Sequence, residues 1–533
     1  MNRIVLALSV LLLLPIASLA AGKPPTAVAT QIDSIIDKAL SENKVPASAQ
    51  ADDAEFLRRV TLDITGRIPT RDRTIAFLAD TQPDKRAKLI DELLADGEYG
   101  EHFATIWYYR MIRLDDDNRY LVKDNKLQDW LTSQFNNNRT WNQIVTDLLM
   151  ASGNKNKNPE VTFYLAHVDD NKKHFEPAPN KIVASASKLF MGVRLECCEC
   201  HNHPFNTLKQ NEFWGVAAFF SELHGDQTSR KELKEGMVPG IHEGGVANKK
   251  AKTDNAPFGA IEIPDSKGKT VKAKYLGGPE AVVSKQASLR KPFVSWLTGP
   301  KNKYFATAAV NKLWANFFGR GLSNPVDDID LEKVTHPDLL KLLAEEFTTS
   351  GFDQKHLIRC ICNSQAYQRT SAVLPANKSD NTLYSHMRVK VMSADMLYDS
   401  LQEVLGHGVA EKSKGAGKKG GGGAREQFRA FFHAEADDDV GVVEDYNHGV
   451  PQVLRLMNAA QLNDTAKTVT ALMKAGTPEN VIESLYLTVL SRQPTSSETK
   501  KMKDYAATEK FSAKAYGDLL WVLLNSGEFV FNH

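Results

Sequence analysis

The chain reads as mainly α, two helical domains joined by a partly β, loop-rich insertion. Three observations predict this. Apolar residues recur at helical spacing before residue 225 and again after 289. Between those points the spacing switches to alternation, broken by Gly, Pro and Lys. No period of 20 to 50 residues repeats, which excludes a solenoid. At 533 residues the chain is too long for one ordinary core; a prior of ~150 residues per domain gives two to four.

Taken in order, residues 28–224 form the predicted first helical domain. Ile32, Ile35, Ile36 and Leu40 make one stripe, and "AEFLRRVTLDITGRIPT" runs into Gly66 and Pro69, a stop signal. Thr70 is placed to cap a helix carrying Ile75, Phe77 and Leu78. Leu89, Ile90, Leu93 and Leu94 follow, then Trp141, Ile144, Val145, Leu148 and Leu149 at i, i+3, i+4, i+7 and i+8. Residues 225–289 are the insertion, where "GAIEIPDSKGKTVKAKYLGG" alternates around Lys267-Gly268 as a hairpin does. Residues 290–533 are the second helical domain. It is interrupted at about 410–424 by a glycine- and lysine-rich run that cannot bury a core and reads as a flexible loop. Thr477-Pro478 predicts a capped helix start, and Thr495 with Glu498 a capping box.

Residues 1–20 stand outside the fold. Arg3, an apolar run from Ile4 to Leu14 and the small-residue end Ser18-Leu19-Ala20 form a secretory leader with a cut after Ala20. The run is short for a bilayer span and no second one follows, so the expectation is export to the periplasm or beyond, with no membrane span once the leader is gone. A formal net charge of +1 argues against a nucleic-acid binder, which carries a basic excess. Five cysteines are too few for a disulfide scaffold of this size. Cys360 and Cys362, in the apolar "HLIRCICNSQAY", read as buried small hydrophobes.

The sharpest chemical signal is "RLECCECHNHPF", residues 194–205. Cys197-x-x-Cys200-His201 is the attachment pattern of a c-type haem: two thiols for the vinyl groups, and an imidazole next to them for the iron. Export meets the requirement that such haem is attached outside the cytoplasm. Trp214, Phe219 and Phe220 could wall such a group or be plain core. His203, His224, His336 or a methionine could fill the sixth iron position. A bare Zn or Fe ion is the second reading, held by Cys197, Cys200, His201 and His203 with Cys198 or His224 in reserve. The third is a Cys197–Cys200 disulfide with both histidines hydrogen-bonded nearby.

Several segments together resemble a known pair. "LRRVTLDITGRIPT", "CCECHNHPFNTLKQNEFWGVAAFF", "AVNKLWANFFGRGLSNPVDDI", "THPDLLKLLAEEF" and "LIRCICNSQAYQRTS" resemble the paired domains of unknown function of large exported planctomycete-type bacterial proteins. The first of these is nicknamed planctomycete cytochrome-like. The resemblance covers most of the chain after the leader, the first domain to about Leu223 and the second from about Arg290. Its cysteine stretch C-x-x-C-H-x-H-x-F is matched by Cys197, Cys200, His201, His203 and Phe205, with Cys198 as an addition. The resemblance implies export and a possible haem.

Other chemistry is fainter. Asp327, Asp328 and Asp330 could bind a cation or form an acid/base pair, although a carboxylate-rich loop is the plainer reading. Thr335 reads as a helix cap with His336 beside it, and the acidic run at 433–445 as a solvated face. Arg58 and Arg59 are expected to pair with acidic partners such as Asp63. Neither G-x-S-x-G nor H-E-x-x-H occurs. The expected function is therefore haem-linked redox chemistry with a redox partner. The alternatives are a metal-dependent hydrolase using the cluster with Asp327 and Asp328, or a scaffold binding an extracellular polymer.

Overall fold

The computed structural model describes residues 22–112, 119–122, 124–169, 175–203, 207–226, 230–244, 257–264, 266–406, 425–426, 428–429 and 465–533. The leader, Phe205, the glycine-rich loop at 410–424 and the acidic run at 433–445 lie outside these residues.

The helices form where the sequence places their caps. Asp52 accepts from Glu55 N to start Asp53–Thr65, and Gly66 ends it at φ 74°. Thr70 caps Arg71–Ala79, Thr477 caps Pro478–Val489, and Thr495 with Glu498 closes both halves of a capping box. The predicted stripe on Arg71–Ala79 is narrower than its spacing suggested. Phe77 is buried, but Ile75 is exposed because Thr74, one residue earlier, takes the inward position. Thr335 does not cap its helix. His336 occupies the N-cap position of Pro337–Thr349 without a side-chain cap bond, while Thr335 N donates to Leu322 O.

The strands are short and antiparallel. β1 (Gly153–Asn154), β2 (Leu223–Gly225) and β3 (Gly240–Glu243) form one sheet with β3 central. β4 (Ala260–Glu262) and β5 (Thr270–Lys272) form the expected hairpin, Ile261 opposite Val271, and the turn holds Lys267 and Gly268 at positive φ. The hairpin rests on the Gln210–Ala217 helix at Gly215, where a Cβ would lie 2.9 Å from Lys274 Cβ. β6 (Lys390–Val391) pairs with β7 (Phe531–Asn532) at the chain end.

One large core runs from Val28 to Met387. The Pro25–Asn43 helix packs on Gln354–Cys362, and Pro179–Met191 packs on Lys303–Phe318, so segments from both sides of the insertion share that core. A second, smaller core gathers Met392 to Phe529 around Leu62 and Ile68.

The Asp53–Thr65 helix joins the two cores, buried from Phe56 to Thr65. Its arginines do not pair with Asp63. Arg58 donates to the carbonyls of Val489 (3.1 Å) and Phe529 (2.8 Å). Arg59 donates to Tyr367 O and Arg369 O, both at 2.8 Å, and pairs with Glu55 at 2.5 Å. Asp63 instead receives Lys390 Nζ (2.5 Å), Asn532 Nδ2 (2.7 Å) and the Tyr367 hydroxyl (2.8 Å). Three buried donors on one buried carboxylate satisfy it almost completely, which is the condition for keeping a charge inside.

Candidate functional site

The Cys/His segment begins where the Pro179–Met191 helix stops. Gly192 ends that helix at φ 62°. A Cβ there would also sit 2.7 Å from Ile329 Cδ1, so a glycine is needed for conformation and space alike. The chain then makes a tight 3-10 turn, Glu196–Cys198. Its backbone is held from the inner side. Trp214 Nε1 donates to Glu199 O (2.9 Å), Gln210 Nε2 to Cys200 O (2.9 Å), and Asn180 Nδ2 to Glu199 Oε1 (2.9 Å). His203 N donates to Leu208 O at 2.9 Å, closing the far end of the loop.

The turn sorts its sulfurs. Cys198 is fully buried and joins the main core, where burial pushes its thiol up. Cys197, Cys200 and His201 are exposed, and neither thiol is in a disulfide. This removes Cys198 from any shared donor set. The three residues of the haem-attachment pattern face outward, and the addition is the one turned in. His201 Nδ1 lies 2.7 Å from the carbonyl of Asn202. A carbonyl only accepts, so Nδ1 carries the proton, and the Nε2 lone pair remains for a metal.

The other predicted site residues behave differently. Asp327 is occupied: the Arg194 guanidinium donates to both its oxygens, at 3.1 and 3.2 Å. Asp328 Oδ1 accepts from Arg194 N at 3.3 Å. The two carboxylates therefore anchor the approach to the cysteine turn; their oxygens are not presented together to a cation. Asp330 pairs with Lys333 on the surface. Trp214, Phe219 and Phe220 are buried in the main core. Phe219 packs 5.3 Å from Tyr275, and Phe220 5.5 Å from Phe293, between ring centroids. His336 is buried against Tyr384, and burial depresses its pKa. His224 sits on β2 beside Glu176. Cys360 and Cys362 are buried as expected. Burial pushes the Cys360 thiol up to about 12, which leaves it inert as a nucleophile.

Among the described residues no three or more His, Cys, Asp or Glu side chains are already gathered around one point as an ion requires. No described helix is long and apolar enough to cross a membrane. For haem, the donor set fits by its chemistry: two unbridged, accessible thiols and one imidazole of the right tautomer in the required order. For a bare ion the fit is poorer. Cys198 is turned into the core and Asp327 is taken by Arg194.

Residues 31–225 match the model of a protein of unknown function (DUF1549), and residues 289–419 match that of a second (DUF1553). The first match contains the whole cysteine turn. The second ends before the helices at 465–533 that build the smaller core. No curated protein and no solved structure matches the chain.

Proposed function

From the premise that this chain joins a DUF1549 domain to a DUF1553 domain, we propose that it is an exported redox protein bearing haem c. Cys197 and Cys200 are the thioether anchors and His201 the proximal ligand. One observation carries the reading. Of four adjacent candidate donors, Cys197, Cys200 and His201 face solvent, while Cys198, foreign to the attachment pattern, is buried. The bound group would supply reversible one-electron chemistry.

The residues of the chain have definite tasks on this reading. Trp214, Gln210 and Asn180 hold the turn by its backbone and by Glu199, leaving the two sulfurs and the imidazole unencumbered. Asn202 fixes the His201 tautomer. Arg194, clamped by Asp327 and Asp328, sets where the turn leaves the core. Because the anchors are exposed, the redox partner is a protein or small carrier that reaches this surface directly.

The test is expression with the leader in a host that attaches haem c. The expected product is coloured, keeps its Soret band after acid–acetone extraction, and carries haem mass on the peptide containing Cys197 and Cys200. Replacing both cysteines with Ser should abolish the colour. A colourless product with Zn or Fe at the cysteines transfers the site to a bare ion. A colourless, metal-free product with Cys197 bonded to Cys200 leaves a scaffold.

A further inference from the structure

A different group of side chains, outside the cysteine turn, has the makings of a metal site. In the ladder between β2 and β3, His224 stands directly opposite His242. Residues opposite one another in an antiparallel pair project from the same face. Two positions away on either side, Asp226 N donates to Gly240 O and Gly244 N to Glu222 O. This alternation makes His224–His242 a hydrogen-bonded pair, its Cα atoms about 5.5 Å apart. Two imidazoles at that spacing can reach a common point above the ribbon.

Asp226, two residues along from His224, shares the face. It lies over Gly240: a Cβ on that glycine would come within 2.7 Å of Asp226 Oδ2. The missing side chain is the space through which the carboxylate leans across, and its Oδ1 meets His242 Nε2 at 2.7 Å. Glu176 arrives from the open edge of β2, its Oε2 accepting from Gly225 N at 3.1 Å and lying 3.9 Å from His224 Nδ1. Gly225 is what lets it arrive, since a Cβ there would sit 2.3 Å from Phe175 O. Two glycines thus make room for two carboxylates beside two imidazoles.

We propose that His224, His242, Asp226 and Glu176 bind one divalent transition-metal ion of the Zn2+ class. The donors stand as two His–carboxylate pairs, His242 with Asp226 and His224 with Glu176, and no three of them are gathered about one point, so binding requires their side chains to turn. The His224 and His242 side chains are 44% and 56% exposed, so a rotamer change brings both nitrogens inward without disturbing the core. Two neutral imidazoles with two carboxylates balance a 2+ charge, and this mixture of nitrogen and oxygen suits zinc, cobalt or nickel better than calcium. The exposed side leaves a coordination position for water, as in sites that act on substrates.

The test uses the full chain with Cys197→Ser and Cys200→Ser, so that no thiolate contributes and failure of the haem reading leaves the result intact. Titration with Zn2+ alone by calorimetry should show one ion per chain. His224→Gln and His242→Gln should each weaken it at least ~10-fold with unchanged circular dichroism, and Asp226→Asn should weaken it by a similar factor. Co2+ should give d–d bands without a sulfur charge-transfer band. No saturable uptake, or uptake indifferent to both histidine variants, overturns the proposal.

Discussion

Replacing Lys390 with Met tests the buried junction most directly. Lys390 Nζ donates to Asp63 Oδ1 (2.5 Å) and to two carbonyls in the last turn of the Lys303–Phe318 helix, Asn316 O (3.1 Å) and Phe317 O (2.8 Å). Methionine keeps the volume of the stem and deletes the charge. Breaking one side of a buried ion pair costs about 3–5 kcal/mol, because the remaining charge stays buried without its partner. The two carbonyls lose a donor as well, which places the expected loss toward the upper end of that range at neutral pH.

The loss should depend on pH in a stated direction. Burial already holds the Asp63 carboxyl above its ordinary range, with the Lys390 ammonium opposing. Without the ammonium its pKa rises further. Above about pH 3.9 the native variant then binds a proton that the unfolded chain has released. Stability is fully present below the unfolded pKa and falls by about 1.4 kcal/mol per pH unit until the folded pKa is passed. Urea unfolding followed by tryptophan fluorescence should therefore show a smaller deficit at pH 5 than at pH 8. Adding Asp63→Asn should recover part of the loss, since the amide oxygen still accepts from Tyr367 or Asn532 and no charge is left buried. A deficit under about 1 kcal/mol, or one that does not shrink in acid, refutes the reasoning.

Three further outcomes follow from the same geometry. Brief iodoacetamide treatment of the native apo chain should alkylate Cys197 and Cys200 and spare Cys198, Cys360 and Cys362, as peptide mass spectrometry will show; modification of Cys198 without unfolding would contradict its burial. Arg58→Ala should destabilise the smaller core by about 3 kcal/mol by orphaning the carbonyls of Val489 and Phe529, visible as loss of protection in hydrogen exchange over 478–533. Arg492 holds Glu498 down at about 2. That pair's contribution is therefore complete above pH 4.5 and lost as pH falls toward 2, and solvent screening keeps it to about 1 kcal/mol; Glu498→Gln should flatten that part of the acid-unfolding curve.

What the sequence determined by itself is local. Thr70, Thr477 and the Thr495–Glu498 box were legible because a cap acts on a backbone amide two or three residues away. The Lys267-Gly268 turn and the stripes of Leu89–Leu94 and Trp141–Leu149 were legible for a similar reason, since periodicity is a property of one segment. The C-x-x-C-H spacing of Cys197, Cys200 and His201 was legible too, because it lies within one short segment. Tertiary structure decided the rest. Arg58 and Arg59 chose backbone carbonyls at 367, 369, 489 and 529, and a carbonyl has no letter in a sequence. Asp63 found Lys390, more than three hundred residues on, and Asp327 went to Arg194. Whether Cys198 or Cys200 faces water depends on which way a single 3-10 turn rests on Trp214 and Gln210. Strand register, read only in the folded chain, set His224 opposite His242. Contacts between distant segments are chosen by packing all of them at once, and one chain read from end to end carries no record of that choice.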